Sequence, residues 1–195
     1  VPSVVLMDNV HQNIGNYAPI PDYYATVIST LQGMGYTVKL ASEVGLAPSI
    51  STYGIVILAA PLQAYTSNET QALVKFVKDG GKLIMMGEYG SYGANTNLNT
   101  LSSALGAGIT FNMDAVYDDT NNYNGNSDWP VTSNFVSHAT TSGLSSIAYF
   151  ATCSLSVQNP ATAIVYAEDT AYTYANLNIS KGNSAGSGLK APGTK

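Results

Sequence analysis

The sequence contains no arginine, and all seven of its basic residues are lysine. Twelve acidic residues outnumber them and give a net charge of −5. Nucleic acids are bound through phosphate contacts from Lys and Arg, and Arg supplies the bidentate ones. An acidic chain without a guanidinium group therefore argues against a nucleic-acid partner. The same charge balance argues against binding to an anionic membrane surface.

Other shortages narrow the class of protein further. No apolar run approaches the roughly 18 residues that a membrane-spanning helix needs, so we expect no direct membrane insertion. The lone cysteine, Cys153, excludes an intramolecular disulfide, and the alternating apolar residues around it predict a buried thiol. Charged residues make up only 10% of the chain, compared with about a quarter in typical globular proteins.

The residues that replace the missing charges are Asn, Ser, Thr and fourteen Tyr. This composition leads us to expect an extracellular or cell-surface protein. The chain begins at Val1 rather than Met, which suggests a processed or excised segment. In an exported protein, the two N-x-Ser/Thr sequons at Asn68 and Asn178 would be glycosylation sites.

Strand and helix patterns alternate over the first 117 residues. Continuous apolar runs that include β-branched residues predict strands at residues 3–9, 36–40, 55–60 and 82–86. Helical spacing predicts helices at residues 23–31, 66–79 and 97–105. The second helix is the best marked, because Thr66 and Glu69 have capping-box spacing.

The pattern changes after residue 117. Residues 118–128 are polar without an apolar period, which predicts a turn-forming or disordered loop. Calcium binding is the alternative, because Asp118, Asp119 and Asp128 are hard oxygen donors. Strands are predicted again at residues 147–157, 163–167 and 172–179, and residues 181–195 have the composition of a Gly/Ser/Lys linker or tail.

This order of elements predicts the fold class. Alternating strands and helices imply right-handed crossovers and a mainly parallel sheet. We therefore expect a single α/β domain over residues 1–180, three-layered and flavodoxin-like. Extra strands at the C-terminal end of the chain are expected to extend the mainly parallel sheet at an edge.

Several short motifs occur in a characteristic order: Met-Asp-Asn9, Gly-Tyr-Thr-Val38, Ile-Val-Ile-Leu-Ala-Ala-Pro61, Tyr-Thr-x-x-Glu69, Phe-Val-Lys-Asp-Gly-Gly-Lys-Leu-Ile84, Asn-Leu-Asn99 and His138-Ala-Thr-Thr-Ser-Gly143. Together they resemble the class I glutamine-amidotransferase-like superfamily over residues 3–145. Within it, the chain is most similar to the non-catalytic branch found in gliding-motility and intraflagellar-transport proteins and in prokaryotic surface proteins.

The resemblance implies a nucleophile elbow after the fourth strand, where catalytic members place a Cys that acts with a downstream His-x-Glu pair. Here Glu88 and Tyr89 occupy the elbow, and Thr140 stands where the pair after His138 needs Glu. The amidotransferase nucleophile is therefore absent. His138 is expected to hold its turn by hydrogen bonds rather than to act as a base.

Polar residues follow the predicted strands at their carboxyl ends, where open α/β sheets bind ligands. The expected ligand pocket contains Asp8, Asn9, His11, Gln63, Glu88 and Tyr89. One interpretation is a pocket for a sugar or a metal ion, with Asp8, His11 and Glu88 together as a hydrolytic metal site. The other is structural: Asp8 and Glu88 accept amides at helix N-termini, and His11 lies on a solvated loop. Trp129 is expected to anchor the core, with an exposed sugar-stacking platform as the alternative.

The sequence thus predicts a non-catalytic binding or assembly module of a larger secreted or cell-surface protein. We expect protein or glycan partners or self-assembly, and no cofactor unless calcium binds. One alternative is a hydrolase of carbohydrate or amide bonds that uses Glu88 with Asp8 or His11. The other is a structural subunit of an extracellular assembly.

Overall fold

The computed structural model describes residues 2–14 and 19–175, and these residues divide into two compact units. The first unit comprises the described residues of 2–87 and 93–106, and the second comprises residues 88–92 and 107–175. The predicted tail at residues 181–195 lies outside the described residues. The expectation of one domain over residues 1–180 stays a prediction.

The first unit contains a four-stranded parallel sheet. Its strands are β1 (Val4–Met7), β2 (Thr37–Leu40), β3 (Ile55–Ala59) and β4 (Lys82–Met86), in the spatial order β2-β1-β3-β4. The inner strands β1 and β3 are apolar and almost wholly buried, whereas the edge strands β2 and β4 include exposed residues. The apolar runs therefore form the centre of the sheet, and the predicted α/β class with a parallel sheet is confirmed.

Four helices belong to the same unit: α1 (Ala25–Gly33), which follows a 3₁₀ turn at Asp22–Tyr24, α2 (Ala41–Val44), α3 (Ser67–Lys78) and α4 (Ala94–Leu105). The predicted capping box begins α3: the Glu69 amide donates to Thr66 Oγ1 over 3.3 Å, and the Thr66 amide donates to Glu69 Oε2 over 2.9 Å. Helix α4 begins three residues earlier than the predicted start at residue 97.

The core of the first unit lies on both faces of the sheet. On one face, Val5, Met7, Ile57 and Ala59 belong to a buried cluster that also includes Ala94 at the start of α4. The intervening strand residues Leu6, Val56 and Leu58 are fully buried as well. Because successive residues of a strand point to opposite faces, both faces of β1 and β3 are covered.

The second unit is built from antiparallel pairs. Strands β5 (Ile109–Phe111) and β10 (Leu155–Val157) form one pair, and β6 (Asp114–Tyr117) and β11 (Tyr172–Ala175) form another. A third sheet has the order β7 (Asn122–Tyr123), β8 (Asn126–Thr132) and β9 (Ile147–Ala148). The expectation that these strands extend the parallel sheet was therefore wrong. Residues 163–167 were predicted as a strand and contribute one isolated bridge, between Val165 and Phe135.

The polar segment at residues 118–128 contains a β-hairpin that the sequence analysis missed. Strands β7 and β8 are joined by a two-residue turn in which Asn124 has φ 55° and Gly125 has φ 77°. Two successive positive φ values are those of a type I′ turn, whose preferred sequence is Asn-Gly. That dipeptide was the signal that would have identified the hairpin.

We expect Gly125→Ala to lower the free energy of unfolding by about 1 kcal/mol, because a side chain disfavours a left-handed backbone conformation. A Cβ at Gly125 would meet open space, so the cost is conformational rather than steric. Gly33→Ala is the matched control, since its Cβ also meets open space but its φ is not positive. Urea unfolding of both variants measures the difference; equal stabilities would contradict the role assigned to the turn.

Candidate functional site

Three of the predicted pocket residues, Asp8, Asn9 and His11, lie in the loop that follows β1. The Asp8 amide donates to the Ile57 carbonyl of β3 over 3.0 Å, which extends the pairing of these strands to their carboxyl ends. The Asp8 side chain has no solvent exposure, and His11 is only 6% exposed. The expectation that His11 lies on a solvated loop was therefore wrong. A fully buried carboxylate is rare and requires compensating partners.

Asp8 has four such partners. Its Oδ1 accepts the Val10 amide over 3.2 Å and lies 2.9 Å from Nδ1 of His11. Its Oδ2 accepts the Asn13 side-chain amide over 3.1 Å and the Tyr65 hydroxyl over 3.2 Å. Both carboxylate oxygens are thus occupied by protein donors. Asp8 does not accept the helix N-terminal amides that the structural interpretation predicted for it.

His11 connects this carboxylate to a second one. Its Nε2 lies 3.4 Å from Oε2 of Glu69, the capping-box residue of α3. Its ring packs against the Tyr65 ring, with the centroids 4.5 Å apart. We call the five residues Asp8, His11, Asn13, Tyr65 and Glu69 the Asp8 network.

The charges of the Asp8 network shift the pKa values of its members. Burial alone would lower the pKa of His11, but the hydrogen bond and charge of Asp8, together with Glu69, raise that pKa above its ordinary value of 6.5. Burial opposes ionisation of Glu69, yet hydrogen bonds from Thr66 and the His11 charge hold the pKa of Glu69 below 4.5. Burial and the Asp8 charge raise the pKa of Tyr65. The carboxylates on either side of the ring therefore favour the protonated form of His11.

Asn13, Tyr65 and Glu69 were missed as site residues by the sequence analysis. Asn13 donates to the Ala59 carbonyl over 3.0 Å and accepts the His11 amide over 3.0 Å, which ties the loop after β1 to the end of β3. Tyr65 follows the end of β3 by six residues, so its position relative to the strand end was a usable signal. Glu69 was assigned to the helix cap alone.

The other predicted residues of the first unit have structural contacts. Asn9 accepts the Ser42 amide over 2.8 Å and donates to the Ser42 hydroxyl over 2.9 Å, which links the loop to α2. The exposed Gln63 contributes its backbone amide to the His11 carbonyl over 3.0 Å.

Glu88 and Tyr89 belong to the second unit. Glu88 is partly buried and accepts the Tyr89 amide over 3.0 Å. Burial raises the pKa of Glu88, although the Tyr89 amide opposes the shift. The Tyr89 amide also donates to the Ala151 carbonyl over 3.1 Å, so this bend is held to the segment before β10. A ligand pocket shared by all six predicted residues stays a prediction.

Two of the three aspartates that were predicted to bind calcium accept hydrogen bonds from residues of the second unit. Asp118 is fully buried, and its carboxylate accepts the amides of Thr120 and Asn121 and the Thr170 hydroxyl over 2.7–2.8 Å. Asp119 accepts the Tyr172 hydroxyl over 2.9 Å, and Asp128 is exposed in β8. Within residues 2–14 and 19–175, no group of three or more His, Cys, Asp or Glu side chains is arranged to hold a metal ion. Calcium binding stays a prediction.

The remaining residues with a predicted role are His138, Cys153 and the two sequon asparagines, Asn68 and Asn178. His138 accepts the Thr140 amide at Nδ1 over 3.2 Å, as expected for a turn-stabilising side chain. Cys153 is buried, although it lies between β9 and β10 rather than in a strand. Asn68 is exposed in the first turn of α3, and Asn178 lies outside the described residues. Glycosylation of either stays a prediction.

In the part of the chain that the structure describes, every buried side-chain nitrogen and oxygen has a hydrogen-bond partner. In the same ranges, no helix has both the length and the apolar character needed to cross a membrane.

Comparison with known proteins gives three results. The family model of the IFT52 GIFT domain matches residues 30–124. The solved mmIFT52 N-terminal domain has a similar fold, with a TM-score of 0.65 at 18% identity over 86% of this chain and 74% of that one. An uncharacterised protein of Aquifex aeolicus (strain VF5) is 31% identical over 116 residues, which are 58% of this chain and 48% of the relative. The chain thus spans about half the length of that relative.

These matches correct several expectations. The predicted glutamine-amidotransferase-like membership was wrong, because the matching family and fold are those of IFT52, an intraflagellar transport protein. The predicted secreted or cell-surface module, the hydrolase alternative and the extracellular structural subunit were wrong for the same reason. The extracellular or cell-surface location was wrong as well. Of the predicted partners, proteins fit these matches, whereas glycans receive no support from them.

The raised pKa of His11 predicts a pH-dependent stability. Because the folded-state pKa exceeds the unfolded value, stabilisation by the His11 charge is fully present below pH 6.5 and is lost as the pH rises through the folded pKa. We therefore expect the difference in unfolding free energy between the natural chain and His11→Gln, measured by urea unfolding, to shrink as the pH rises. NMR titration of the His11 ring gives the pKa directly, and Asp8→Asn should lower it. A ring pKa at or below 6.5 in the natural chain would contradict the assignment.

Removal of the central carboxylate should cost more than loss of any single contact. We expect Asp8→Ala to lower the free energy of unfolding by about 3–5 kcal/mol, because it leaves the buried His11 charge without its main partner. Asp22→Ala, at an exposed aspartate, should change stability by less than about 0.5 kcal/mol. Chemical denaturation measures both, and a cost for Asp8→Ala as small as that control would contradict the central role of Asp8.

Proposed function

We propose that this chain is a GIFT-like domain that acts without catalysis and binds a protein partner within a multiprotein complex of the intraflagellar-transport type. The match to the IFT52 GIFT domain supports an assembly role of this kind. The fold similarity to the IFT52 N-terminal domain supports the corresponding architecture.

The finer architecture is part of the proposal. The strand order β2-β1-β3-β4 is the 2-1-3-4 order with which flavodoxin-like sheets begin. Burial on both faces of β1 and β3 supports a three-layer arrangement for the first unit. We therefore propose that this unit is flavodoxin-like and that the antiparallel strands are an addition to it.

The Asp8 network supports the absence of catalysis. It lies at the strand ends where α/β enzymes bind their substrates, yet its carboxylates, imidazole and amide are bonded to one another. A general base must instead reach a substrate proton directly or through one water. The near-complete burial of Asp8 and His11 denies such access.

The observation that carries the binding proposal is an uncharged apolar surface along α1. Tyr23, Val27 and Met34 are exposed by 56%, 41% and 68%, and their spacing of four and seven residues places them along one side of the helical segment. We call these three residues the α1 surface. The adjoining side of the segment, formed by Tyr24, Ile28 and Leu31, packs against the core.

The chemistry of the α1 surface specifies its partner. Helix α1 contains no charged residue, and Asp22 in the turn before it is the one charged residue of the segment 22–34, so ion pairs cannot align a partner along the helix. Met in particular is common at surfaces that bind other proteins. The matching surface on the partner protein must therefore be apolar and uncharged, since a charge buried there would lack a counter-charge.

A charge introduced into the α1 surface should separate the chain from its partner. We expect Val27→Asp and Met34→Asp to reduce co-purification of the partner at least about tenfold, because the new carboxylate would be buried without a counter-charge. The measurement is quantitative mass spectrometry of the native complex isolated through a tagged parent protein from the cells that make it.

Thr26→Asp is the matched control, because Thr26 is exposed on the same helix outside the α1 surface. It should leave the complex intact, and circular dichroism should show that all three variants remain folded. Equal recovery of the partner with all three variants would overturn the role of the α1 surface. A parent protein that runs as a free monomer in the native extract would overturn the assembly role itself.

A further inference from the structure

An aromatic cluster lies beside the hairpin of the second unit. The Trp129 ring of β8 is 4.8 Å from the Phe150 ring and 6.2 Å from the Tyr123 ring, and Tyr123 and Phe150 lie 5.8 Å apart. Each ring therefore contacts the other two. We call Tyr123, Trp129 and Phe150 the aromatic cluster.

The aromatic cluster is open to solvent. Phe150 is 57% exposed and Tyr123 is 46% exposed, while Trp129 is half-buried between them. Aromatic rings stabilise a core by leaving water, and an exposed group of them is typical of an interaction site rather than of a core. The expectation of a core anchor at Trp129 thus describes only part of its environment.

The backbone holds these rings in fixed positions. The type I′ turn at Asn124 and Gly125 joins the strands that bear Tyr123 and Trp129. The Tyr149 amide donates to the Pro130 carbonyl over 2.9 Å, and the Ala151 amide donates to the Asp128 carbonyl over 3.1 Å. These two bonds flank Phe150 and fix it alongside β8. A pre-formed surface loses little conformational entropy when it binds a partner.

The charge of the second unit indicates what the partner carries. Residues 88–92 and 107–175 contain no Lys or Arg, and their acidic residues are Glu88, Asp114, Asp118, Asp119, Asp128, Glu168 and Asp169. Asp128, the neighbour of Trp129 in β8, is exposed, and so is Asp119. The described residues of the unit therefore attract cations. The three lysines that follow in the sequence, Lys181, Lys190 and Lys195, lie outside the described residues.

We propose that the aromatic cluster binds a Lys- or Arg-bearing segment of a protein partner. The cationic groups would lie over the exposed ring faces in cation–π contact, which is strongest for Trp. The acidic residues of the unit would steer the segment to this surface and hold it by long-range attraction. This site is separate from the α1 surface and does not depend on the proposed function.

Trp129 is the only tryptophan of the chain, so its fluorescence reports directly on this site. The probe is a synthetic Lys/Arg–Gly repeat peptide titrated into the purified full chain, and the control peptide carries Gln in place of every Lys and Arg. We expect a saturable change in Trp129 emission with the basic peptide alone. Because the attraction is electrostatic, the apparent affinity should fall about tenfold in high salt.

Variants of the exposed rings locate the binding. Phe150→Ser and Tyr123→Ser should each weaken the basic peptide by about fivefold to tenfold while leaving Trp129 as the reporter. Tyr23→Ser is the matched control, because Tyr23 is 56% exposed but belongs to the first unit, and it should leave the affinity unchanged. Circular dichroism and the unfolding midpoint verify the fold of each variant.

Three results would overturn the proposal. One is equal binding of the basic and the Gln-containing peptides. Another is an affinity that Phe150→Ser and Tyr123→Ser leave unchanged. The third is a concentration-dependent dimer that is lost in Phe150→Ser, which would identify a second copy of the chain as the occupant. None of these measurements involves the native complex, so they stand apart from the test of the α1 surface.

Discussion

A buried carboxylate organises the carboxyl edge of the parallel sheet. Moving a carboxylate from water into a protein interior costs on the order of several kcal/mol unless donors replace the water, and Asp8 is fully buried. Those donors come from separate parts of the chain: Val10, His11 and Asn13 from the loop after β1, and Tyr65 from the segment between β3 and α3. His11 then carries the connection to Glu69 in α3. One side chain thus fixes the end of β1, the chain after β3 and the start of a helix relative to one another.

The same hydrogen bonds determine whether the polar groups of the Asp8 network are free to contact a substrate. Asp8, His11 and Glu69 contain the groups of an acid–base centre, whereas the sequence analysis combined Asp8 or His11 with Glu88 instead. In the structure Asp8 and His11 are bonded to each other at near-complete burial, and Oε2 of Glu69, whose side chain is 24% exposed, lies 3.4 Å from the His11 ring. Groups that stabilise the fold in this way are not available to a substrate. The two binding surfaces that we propose, the α1 surface and the aromatic cluster, consist instead of residues that are at least partly exposed.

Local signals predicted the first unit well and the second poorly. Apolar runs identified β1 and β3, and the Thr66–Glu69 spacing identified the start of α3, because neighbouring residues decide these features. The burial of His11 depends on Tyr65 and Glu69, which are more than fifty positions away, so local polarity suggested a solvated loop instead. In the second unit the strands are two to seven residues long, too short for a hydrophobic period to register. Only the Asn124-Gly125 pair offered a strong local signal there.

Whole-chain composition failed for a related reason: it averages over units that differ. The four lysines of the described chain, Lys39, Lys75, Lys78 and Lys82, all belong to the first unit. The described residues of the second unit include carboxylates but no lysine or arginine. The low content of charged residues suggested an extracellular protein, but it does not show where the charges lie: helix α1 has none, and those of residues 88–92 and 107–175 are all acidic. An uncharged helix suits an apolar partner surface, and a purely acidic unit suits a basic one. The distribution of charge, rather than its amount, is therefore the property that bears on partners.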